Sequence, residues 1–404
     1  MKRNIIFNTV IPLWSMDNKS GGRALYSTIK AYGNNNYNII IVTDQKNNYK
    51  SNKINIEEKN IFYIDMSWRN KITKYKIFTI WGIRKIVNWL YCLNYSFKSY
   101  KTMNQIVKKY ENPIIYAYEV NAVKSCKKIS QKYNLPLITR FQGTIMSKYK
   151  KNLYNKISKY PHIQALSTKA DLIIMTDDGT MGNKILKEYG NDSQTLFLRN
   201  GVNILSEKIQ LINKEEFKKK LGIPLNKTIL LTVSRLVDWK KVDRTINALS
   251  KIKDKNKYFL LIVGDGAERK RLEALVQNLG LNDYIRFEGA IKNDDVFKYM
   301  EIADIFLSFY DLSNVGNPLL EALALSKPII TYNVGDTYKV INNKNGVLLD
   351  DISPENIAYT IEKINTKNDL SNYSNEAKEY TKKNLYSWQK RMQIELDEVE
   401  KVIN

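Results

Sequence analysis

The sequence predicts an α/β protein built from two doubly wound domains, each a parallel sheet flanked by helices. Three observations lead to this class. Short apolar runs of strand length alternate with helical stretches along the whole chain. The 404 residues are enough for two domains that each bury a core. A polar, lysine-rich stretch separates two such sets of strands near Leu205.

The elements follow one another in a regular order. Helices fill the gaps between the predicted strands, beginning with a helix from Arg23 to Tyr32. In the first half we expect strands at residues 4–12, 37–43, 61–66, 113–120, 137–141, 172–176 and 195–198. In the second half, after a lysine-rich helix at 214–221, we expect strands at 229–233, 259–263, 285–287, 305–309, 329–332 and 347–349. The predicted domains are therefore 1–205 and 206–383, followed by an amphipathic helix within 384–404.

The most informative stretch, residues 303–336, is predicted to form strand, loop, helix and strand. Pro318 stands in the first helical turn, where a missing N–H costs nothing. Gly316 and Asn317 then lie at a helix N-terminus that follows a strand, and Glu321 lies one turn inside. Free N–H groups and the helix dipole make such a terminus a seat for an anion such as a phosphate.

Two further stretches point to the same chemistry. The first loop ends in Gly21-Gly22 just before a helix, a second place where bare N–H groups meet a helix start. Arg235 follows the predicted strand 229–233, and Lys240 lies five residues further on. A guanidinium and an ammonium at the end of a strand can clamp a diphosphate and stabilise its charge as it leaves.

These stretches resemble the family-4 retaining glycosyltransferases. Their donor motif has a glutamate, seven residues, and a second glutamate followed by alanine; the second is Glu321 in EALALSKPII. The run Ser234-Arg235-Leu236, the strand-end Val263-Gly264-Asp265-Gly266, whose glycines we expect to be structural, and Asn200-Gly201-Val202 also resemble the family. The resemblance implies the GT-B fold, with two Rossmann-like domains facing a central cleft. It also implies that the last helix crosses back to the first domain.

The resemblance further implies a nucleotide-sugar substrate held by the second domain, with no cofactor and no metal. Glu321 would accept hydrogen bonds from the ribose, and backbone groups near Ile291 would contact the base. Arg235 and Lys240 would stabilise the departing diphosphate. The donor-binding set is then Gly21, Gly22, Ile291, Asn314, Gly316, Asn317, Leu319 and Glu321.

The sequence departs from the family in two places. The first glutamate position is Ser313, so Asp311 is expected to substitute for it, or else Asn314 and Asn317 hold the sugar hydroxyls. The usual histidine of the first domain is also missing, and Gln142 is its nearest counterpart, able to position a hydroxyl but not to act as a base. The catalytic candidates are therefore Arg235, Lys240, Gln142, Asp311 and Ser313.

Other residues are expected to be structural. The single histidine, His162, is expected to pack or to lie at the surface. The pair Asp177-Asp178 precedes Gly179 and is interpreted as a turn cap. No metal-ligand constellation is apparent.

Charge is distributed unevenly between the two halves. Residues 1–205 carry 33 Lys+Arg and 12 Asp+Glu, a net +21, and the remainder carries 31 and 29, a net +2, which together give the +23 of the whole chain. A basic half suggests a polyanion or an anionic membrane as a partner, although a lysine-rich composition bias is an alternative source of the total. Apolar residues keep helical spacing at positions 83, 86, 87, 90, 93 and 97, and a basic cluster follows at Lys148, Lys150, Lys151, Lys156 and Lys159.

That helix has two interpretations: an ordinary core-packed helix, or a basic amphipathic helix in a membrane interface. No signal peptide or membrane span is recognised, so we expect a cytoplasmic, membrane-peripheral protein. The predicted function is transfer of a hexose-type sugar to a glycan or lipid-linked acceptor in cell-surface polysaccharide biosynthesis. The alternatives are an epimerase or phosphorylase on the same fold, an inactive partner subunit, and a nucleic-acid-binding protein, for which no binding motif appears.

Overall fold

The computed structural model describes residues 2–11, 23–44, 56–72, 81–150, 152–202 and 212–403. The chain divides into two compact units. The first comprises Met1–Asp177, Met181–Leu198 and Arg391–Asn404, and the second comprises Asp178–Thr180 and Arg199–Lys390. Each unit is therefore assembled from stretches that are not contiguous in sequence.

The first unit is a seven-stranded sheet with helices between its strands. Its strands are β1 (Arg3–Thr9), β2 (Tyr37–Thr43), β3 (Ile61–Tyr63), β4 (Ile114–Tyr118), β5 (Leu137–Phe141), β6 (Leu172–Thr176) and β7 (Thr195–Leu198). Its helices are α1 (Arg23–Asn34), α2 (Ser67–Ile72), α3 (Trp81–Ile106), α4 (Val120–Tyr133), α5 (Leu153–Ser158), α6 (Tyr160–Ser167) and α7 (Gly182–Glu188). The strand order is β3-β2-β1-β4-β5-β6-β7, and every neighbouring pair is parallel.

The second unit is a six-stranded parallel sheet of order β10-β9-β8-β11-β12-β13. Its strands are β8 (Thr228–Val233), β9 (Tyr258–Val263), β10 (Ile285–Gly289), β11 (Ile305–Ser308), β12 (Ile329–Tyr332) and β13 (Val347–Leu349). The helices after β7 are α8 (Lys214–Lys220), α9 (Val242–Lys251), α10 (Arg269–Asn278), α11 (Asn293–Ile302), α12 (Asn317–Ala324), α13 (Pro354–Ile364), α14 (Lys367–Asn384) and α15 (Trp388–Ile403). The predicted α/β class and the two parallel sheets are confirmed.

Both sheets have buried strands, as parallel sheets with covered faces require. All five residues of β4, β5 and β6 are buried, and so are all six of β9. In the second unit two apolar clusters lie on the two faces of the sheet, since consecutive residues of β8, Leu230 and Leu231, belong to different clusters. Continuous apolar strands are what made these segments easy to find in the sequence.

The strand order reverses once in each sheet, between β1 and β4 in the first and between β8 and β11 in the second. In open α/β sheets, ligands bind outside the carboxyl ends of the strands at such a reversal. The loops that follow β4, β8 and β11 are therefore candidate ligand-binding loops.

A buried ionic cluster attaches α15 to the first sheet. Glu395 accepts hydrogen bonds from Arg140 Nη1 at 2.9 Å and from Tyr116 OH at 2.8 Å, and it pairs with Arg391 one turn earlier. Burial alone would raise the pKa of Glu395, but the two guanidinium groups hold it below its ordinary value. The three charged side chains are fully buried, so this part of α15 belongs to the core of the first unit.

The inward face of α3 differs from the expected one. The buried stripe runs through Val87, Tyr91, Tyr95 and Met103, whereas Ile86 is 60% exposed and Phe97 59%. The core-packed interpretation of the predicted apolar face is therefore wrong for much of that face, because tyrosines supply the residues that pack inward. None of the helices in the part of the chain that the structure describes combines the length and apolar character needed to cross a bilayer.

Candidate active site

Two predicted cations lie at the carboxyl end of β8. The chain passes through Arg235 to a short 3₁₀ turn, Asp238–Lys240, before α9 begins. Lys240 Nζ lies 3.8 Å from the ring centroid of Tyr310 and 4.3 Å from that of Trp239, within the range at which an aromatic face attracts a cation. Arg235 Cζ lies 5.8 Å from the same Trp239 centroid. The strand end thus gathers two cations around one aromatic side chain.

The protonation of Lys240 is finely balanced. Burial and the charge of Arg235 together lower the pKa of Lys240 to about 7, and Asp178 limits that fall. Near neutral pH the ammonium form is therefore only partly populated in the ligand-free protein. An anion placed beside it would favour the protonated form, since an opposite charge within ~4–6 Å stabilises a cation.

The loop after β11 reaches the same place. Asp311 forms an ion pair with Arg244, Oδ1 to Nη2 at 2.8 Å, and its backbone N–H donates to the carbonyl of Trp239. Arg244 also donates to the carbonyl of Phe309 at 2.7 Å. The Asp311 carboxylate thus contributes to the conformation of this loop, and its expected role as a substitute glutamate stays a prediction.

Ser313 and Asn314 contribute differently to the site. Ser313 adopts a left-handed backbone, with φ of 53°, and its carbonyl accepts from Lys240 Nζ at 3.4 Å. The Asn314 side chain is buried; it accepts from Ser308 Oγ at 2.6 Å and donates to Thr331 Oγ1 at 2.7 Å and to a β12 carbonyl. Both amide hydrogens of Asn314 are used within the fold, and its expected role in donor binding stays a prediction.

The N-terminus of α12 completes this group. Gly316 precedes the helix, with Pro318 in its first turn as expected. The Gly316 carbonyl accepts from the N–H groups of Leu319 and Leu320. Glu321 is buried one turn inside, unlike an ordinary exposed helix glutamate, and Leu319 is buried beside it. Asn317 Oδ1 accepts from Asn200 Nδ2 at 3.0 Å.

Close packing explains why glycine stands at the end of β9. Gly264 has φ of +134°, and a Cβ there would lie 1.8 Å from the carbonyl oxygen of Ser234. Its N–H donates to the Gly289 carbonyl at 2.8 Å, so the ends of β9 and β10 are fastened together. Ile291, two residues after β10, is half-buried against the core. The structural role expected for the glycine turn is confirmed at Gly264.

In the first unit, Gln142 follows β5 and is joined to a residue that the sequence analysis did not select. Its backbone N–H donates to Glu119 Oε1 at 2.8 Å. Glu119 follows β4 directly and has φ of 73° and ψ of 164°, a region almost restricted to glycine. Such strain costs ~1–3 kcal/mol and clusters at functional sites. The available signal was an acidic residue at the end of a predicted strand.

The expectations for the histidine and the acidic pair can also be compared with the structure. Burial, helped by Lys159, lowers the pKa of His162 to about 4, so this imidazole is neutral at pH 7. Asp178 Oδ1 accepts from the backbone N–H of Thr180, as a turn cap does. Asp178 also belongs to the second unit and acts on Lys240, which the sequence analysis missed. The only feature of the sequence that could have indicated this role is the position of Asp178 after a predicted strand.

The remaining expectations concern glycines and metals. Gly21 and Gly22 lie outside the described residues. Across the described ranges, no group of three or more His, Cys, Asp or Glu side chains is arranged to hold a metal ion.

Comparisons with known proteins agree with this fold. Residues 213–384 match the family model described as glycosyl transferases group 1. The uncharacterized glycosyltransferase MJ1069 of Methanocaldococcus jannaschii is 31% identical over 276 residues, which cover 65% of this chain and 67% of that protein. The alpha-monoglucosyldiacylglycerol synthase of Acholeplasma laidlawii is 25% identical over 256 residues, which cover 61% of this chain and 59% of that protein.

A solved structure extends the likeness to the whole chain. The Anabaena protein Alr3699/HepE, crystallised with UDP and glucose, has a TM-score of 0.73 at 16% identity, covering 98% of this chain and 100% of that one. Two Rossmann-like parallel sheets, each with one reversal of strand order, define the GT-B class of glycosyltransferases. Within that class the chain belongs to the glycosyl transferases group 1 family, as the motifs around Arg235 and Glu321 predicted.

Proposed function

We propose that this protein is a retaining hexosyltransferase that moves a sugar from a nucleotide-sugar donor to a glycan or lipid-linked acceptor in cell-surface polysaccharide biosynthesis. One observation supports the donor site above all. Arg235, Lys240 and the N-terminus of α12 gather where the strand order of the second sheet reverses. Two cations and a helix N-terminus form a seat for a diphosphate.

In the proposed reaction the bond between the anomeric carbon and the diphosphate oxygen breaks, and the acceptor oxygen bonds to that carbon on the same face. Arg235 and Lys240 stabilise the charge that develops on the departing diphosphate. The acceptor proton passes to a phosphate oxygen of that leaving group, so no histidine base is required. Glu321 accepts from the ribose hydroxyls, and the backbone near Ile291 meets the base.

The named relatives guide the choice of ligands. Alr3699/HepE was crystallised with UDP and glucose, so UDP and UDP-glucose are tried first. The Acholeplasma relative is named as a synthase of a glucosyldiacylglycerol, which favours a lipid-linked acceptor here. We also propose that the reaction needs no metal, which activity in the presence of a chelator would test.

The experiment that tests the donor site is a thermal-shift screen with UDP, GDP, ADP and their common sugar conjugates. A ligand that binds only the folded protein raises its apparent stability with ln(1 + [L]/Kd). We expect one nucleotide to give a clear shift, and its sugar conjugate to be hydrolysed slowly without acceptor. A shift without hydrolysis or transfer would support the inactive partner subunit instead, and no shift with any nucleotide would contradict the proposed site.

We further propose that the protein is cytoplasmic and binds an anionic membrane surface through the first unit. Near α3 and α5 an apolar–basic patch is exposed. Lys85 Nζ donates to Tyr154 OH at 2.5 Å, which joins the two helices, and Trp89 and Tyr160 line a common hollow. The apolar members of the patch are Ile86, Trp89, Leu90, Leu153, Tyr154, Ile157 and Tyr160.

The charge around this patch suits anionic lipid headgroups. Neither residues 66–110 nor residues 120–170 contain an aspartate or glutamate, and these two stretches hold 10 and 11 Lys+Arg. Exposed aromatic and aliphatic side chains insert at the interface, while each nearby cation adds about 1 kcal/mol against an anionic leaflet. Nucleic acid would also attract the charge, but the exposed aliphatic side chains favour a lipid surface.

Vesicle co-sedimentation tests the membrane proposal. We expect binding to phosphatidylglycerol-containing vesicles but not to pure phosphatidylcholine, with a loss of binding at high salt. The double substitution Trp89→Glu and Ile157→Glu should abolish binding. Tyr359→Glu, at an equally exposed site on the second unit, serves as the matched control. Equal binding of all variants would contradict the proposed surface.

A further inference from the structure

Three residues of the first half of the chain belong to the second unit. Asp178, Gly179 and Thr180 follow β6 but pack against the loops after β11 and β12. The backbone N–H of Val315 donates to the Asp178 carbonyl at 3.1 Å, and the N–H of Asp336 donates to the Gly179 carbonyl at 3.0 Å. These two hydrogen bonds fasten the segment beside the proposed donor site.

Gly179 is needed for this close approach. Its φ of +87° is in the region that favours glycine, and a Cβ there would lie 3.1 Å from Val315 Cγ2. The Asp-Gly-Thr sequence therefore lets Asp178 approach the loop after β11, and a side chain at position 179 would prevent this approach.

The carboxylate of Asp178 is buried, with 5% of the residue exposed. It accepts from the N–H of Thr180 at 3.2 Å and from Thr180 Oγ1 at 2.5 Å, and the neighbouring Ser313 side chain favours its charged form. Ser313 in turn presents its carbonyl to Lys240 Nζ. Ser313 therefore lies between the Asp178 carboxylate, whose charge its side chain favours, and the buried ammonium, which its carbonyl meets.

The position of this carboxylate is informative because Ser313 stands where the family motif has a glutamate. A glutamate at 313 would carry its carboxylate two bonds beyond the γ position. The Asp178 carboxylate lies beside the shorter Ser313 side chain instead. The acid that the motif lacks is therefore present nearby, supplied by a different part of the chain.

We propose that Asp178 is a positioning residue of the donor site, a carboxylate that holds Ser313 and keeps Lys240 in its cationic form for the donor diphosphate. This inference rests on the proposed function. Asp178 acts through its neighbours, since its contacts are with Thr180 and Ser313, and Lys240 is the group that meets the phosphate.

The titration of the neighbouring groups supports this role. Burial raises the pKa of Asp178 to about 6, although Ser313, Thr180 and Lys240 oppose the rise. The pKa of Lys240 is lowered to about 7 by burial and by Arg235, and Asp178 limits that fall. Tyr310, whose ring faces Lys240, stays neutral because burial raises its pKa to about 12. Without Asp178, Lys240 would lose its proton at a lower pH.

The test compares wild type with Asp178→Asn by calorimetric titration with UDP, GDP or ADP, whichever shifts the wild type. At about pH 8 we expect Asp178→Asn to weaken binding about tenfold, the equivalent of one unit in the pKa of Lys240. Near pH 5.5 the loss should be small, because Asp178 is then largely protonated in the wild type. Mass spectrometry checks the new Asn–Gly step for deamidation.

A rescue separates this role from a merely structural one. Adding Ser313→Glu to Asp178→Asn returns a carboxylate to the same space, so binding at about pH 8 should recover. Asp336→Asn removes another buried carboxylate of the same neighbourhood, paired with Lys339, and should leave the pH profile unchanged.

The possible results distinguish a wrong positioning role from a wrong donor site. A wild-type affinity and pH profile in Asp178→Asn, or an equal loss at both pH values that Ser313→Glu does not rescue, would overturn the positioning role while leaving the donor site intact. Failure of the wild type itself to bind UDP, GDP and ADP would overturn the proposed function, and this inference with it.

Discussion

The two sheets share one topology but carry different chemistry where their strand order reverses. After β8 and β11 the second unit gathers Arg235, Lys240 and the start of α12. After β4 and β5 the first unit presents a strained glutamate, Glu119, hydrogen bonded to the backbone of Gln142. Cations and a helix N-terminus suit a diphosphate, whereas a carboxylate and an amide suit hydroxyl groups. One fold thus places different chemical groups after the strands near its two reversals.

The buried charges show a second contrast. In the first unit the ionic cluster around Glu395 is fully enclosed and serves the fold. In the second unit Lys240 is held by aromatic rings and a carbonyl, with its pKa near neutrality. A paired buried charge stabilises a structure, whereas a poorly compensated one is available for a ligand.

The largest expected effect would break the first of these clusters. Glu395→Ala leaves Arg140 and Arg391 buried without a carboxylate, and such a loss costs about 3–5 kcal/mol. Hydrogen exchange of the β4 and β5 amides should show this loss as easier opening of the first unit. Nucleotide binding by the second unit should be affected much less.

Asp397→Asn is the matched control, since it removes an exposed carboxylate from the same helix, where Gln393 is its hydrogen-bond partner. We expect that change to stay within about 0.5 kcal/mol. Similar protection in the Glu395→Ala protein and the wild type would show that the cluster does not hold α15.

A second substitution tests the cationic site directly. Arg235→Ala should weaken nucleotide binding by on the order of 2–4 kcal/mol, because a charge-assisted contact is lost and a phosphate charge is left unpaired. Glu321→Ala should have an effect of similar size through the ribose. Lys251→Ala, which breaks an exposed ion pair with Glu355, is the control. Wild-type affinity in both site variants, measured by calorimetry, would remove the donor site from this end of the sheet.

The smallest effect has the opposite sign and concerns stability. Asp178 has a folded pKa of about 6 against an ordinary value of 3.8, so the native state binds more protons than the unfolded state between these values. The free energy of unfolding should therefore fall as pH rises through that window, by on the order of 2 kcal/mol. Asp178→Asn should remove this fall and make the ligand-free protein more stable at neutral pH.

Urea unfolding at about pH 4 and pH 7.5 checks this expectation, with the two proteins similar at the lower pH. Residues that serve ligand binding often lower the stability of the ligand-free protein. A less stable variant at pH 7.5 would show that the carboxylate serves mainly to hold the turn.

Much of the fold was readable from the sequence because parallel strands are buried on both faces. Such strands appear as continuous apolar runs, so the largely buried β2, β5, β6 and β12 were predicted with the observed limits. Ends set by turns were less certain: the strand predicted at 61–66 ends at Tyr63, and β1 stops at Thr9 instead of continuing to residue 12. Turn geometry depends on neighbours that the local pattern does not reveal.

The site was only partly predictable from the sequence, because local pattern does not reveal which distant residues become neighbours. Arg235, Lys240, Gly316 and Glu321 follow strands or begin a helix, and local pattern identifies such places. Asp178 is 135 residues away from Ser313 in the chain, and only tertiary packing brings them together. The buried face of α3 was predicted wrongly because it includes tyrosines, whose side chains combine an apolar ring with a polar hydroxyl. Long-range contacts and amphipathic residues are what local patterns describe least well.

The discontinuous make-up of the first unit has a consequence for synthesis on the ribosome. Its core includes Glu395 and its neighbours on α15, which leave the ribosome after every residue of the second unit. Nascent β1–β7 therefore cannot complete their core until α15 is synthesised, and the partners of Glu395 stay exposed until then. The second unit can fold as soon as its own strands have emerged. A helix translated after the second unit thus completes a unit whose strands were translated before it, and a nascent chain released before α15 would expose this unfinished core to chaperones and proteases.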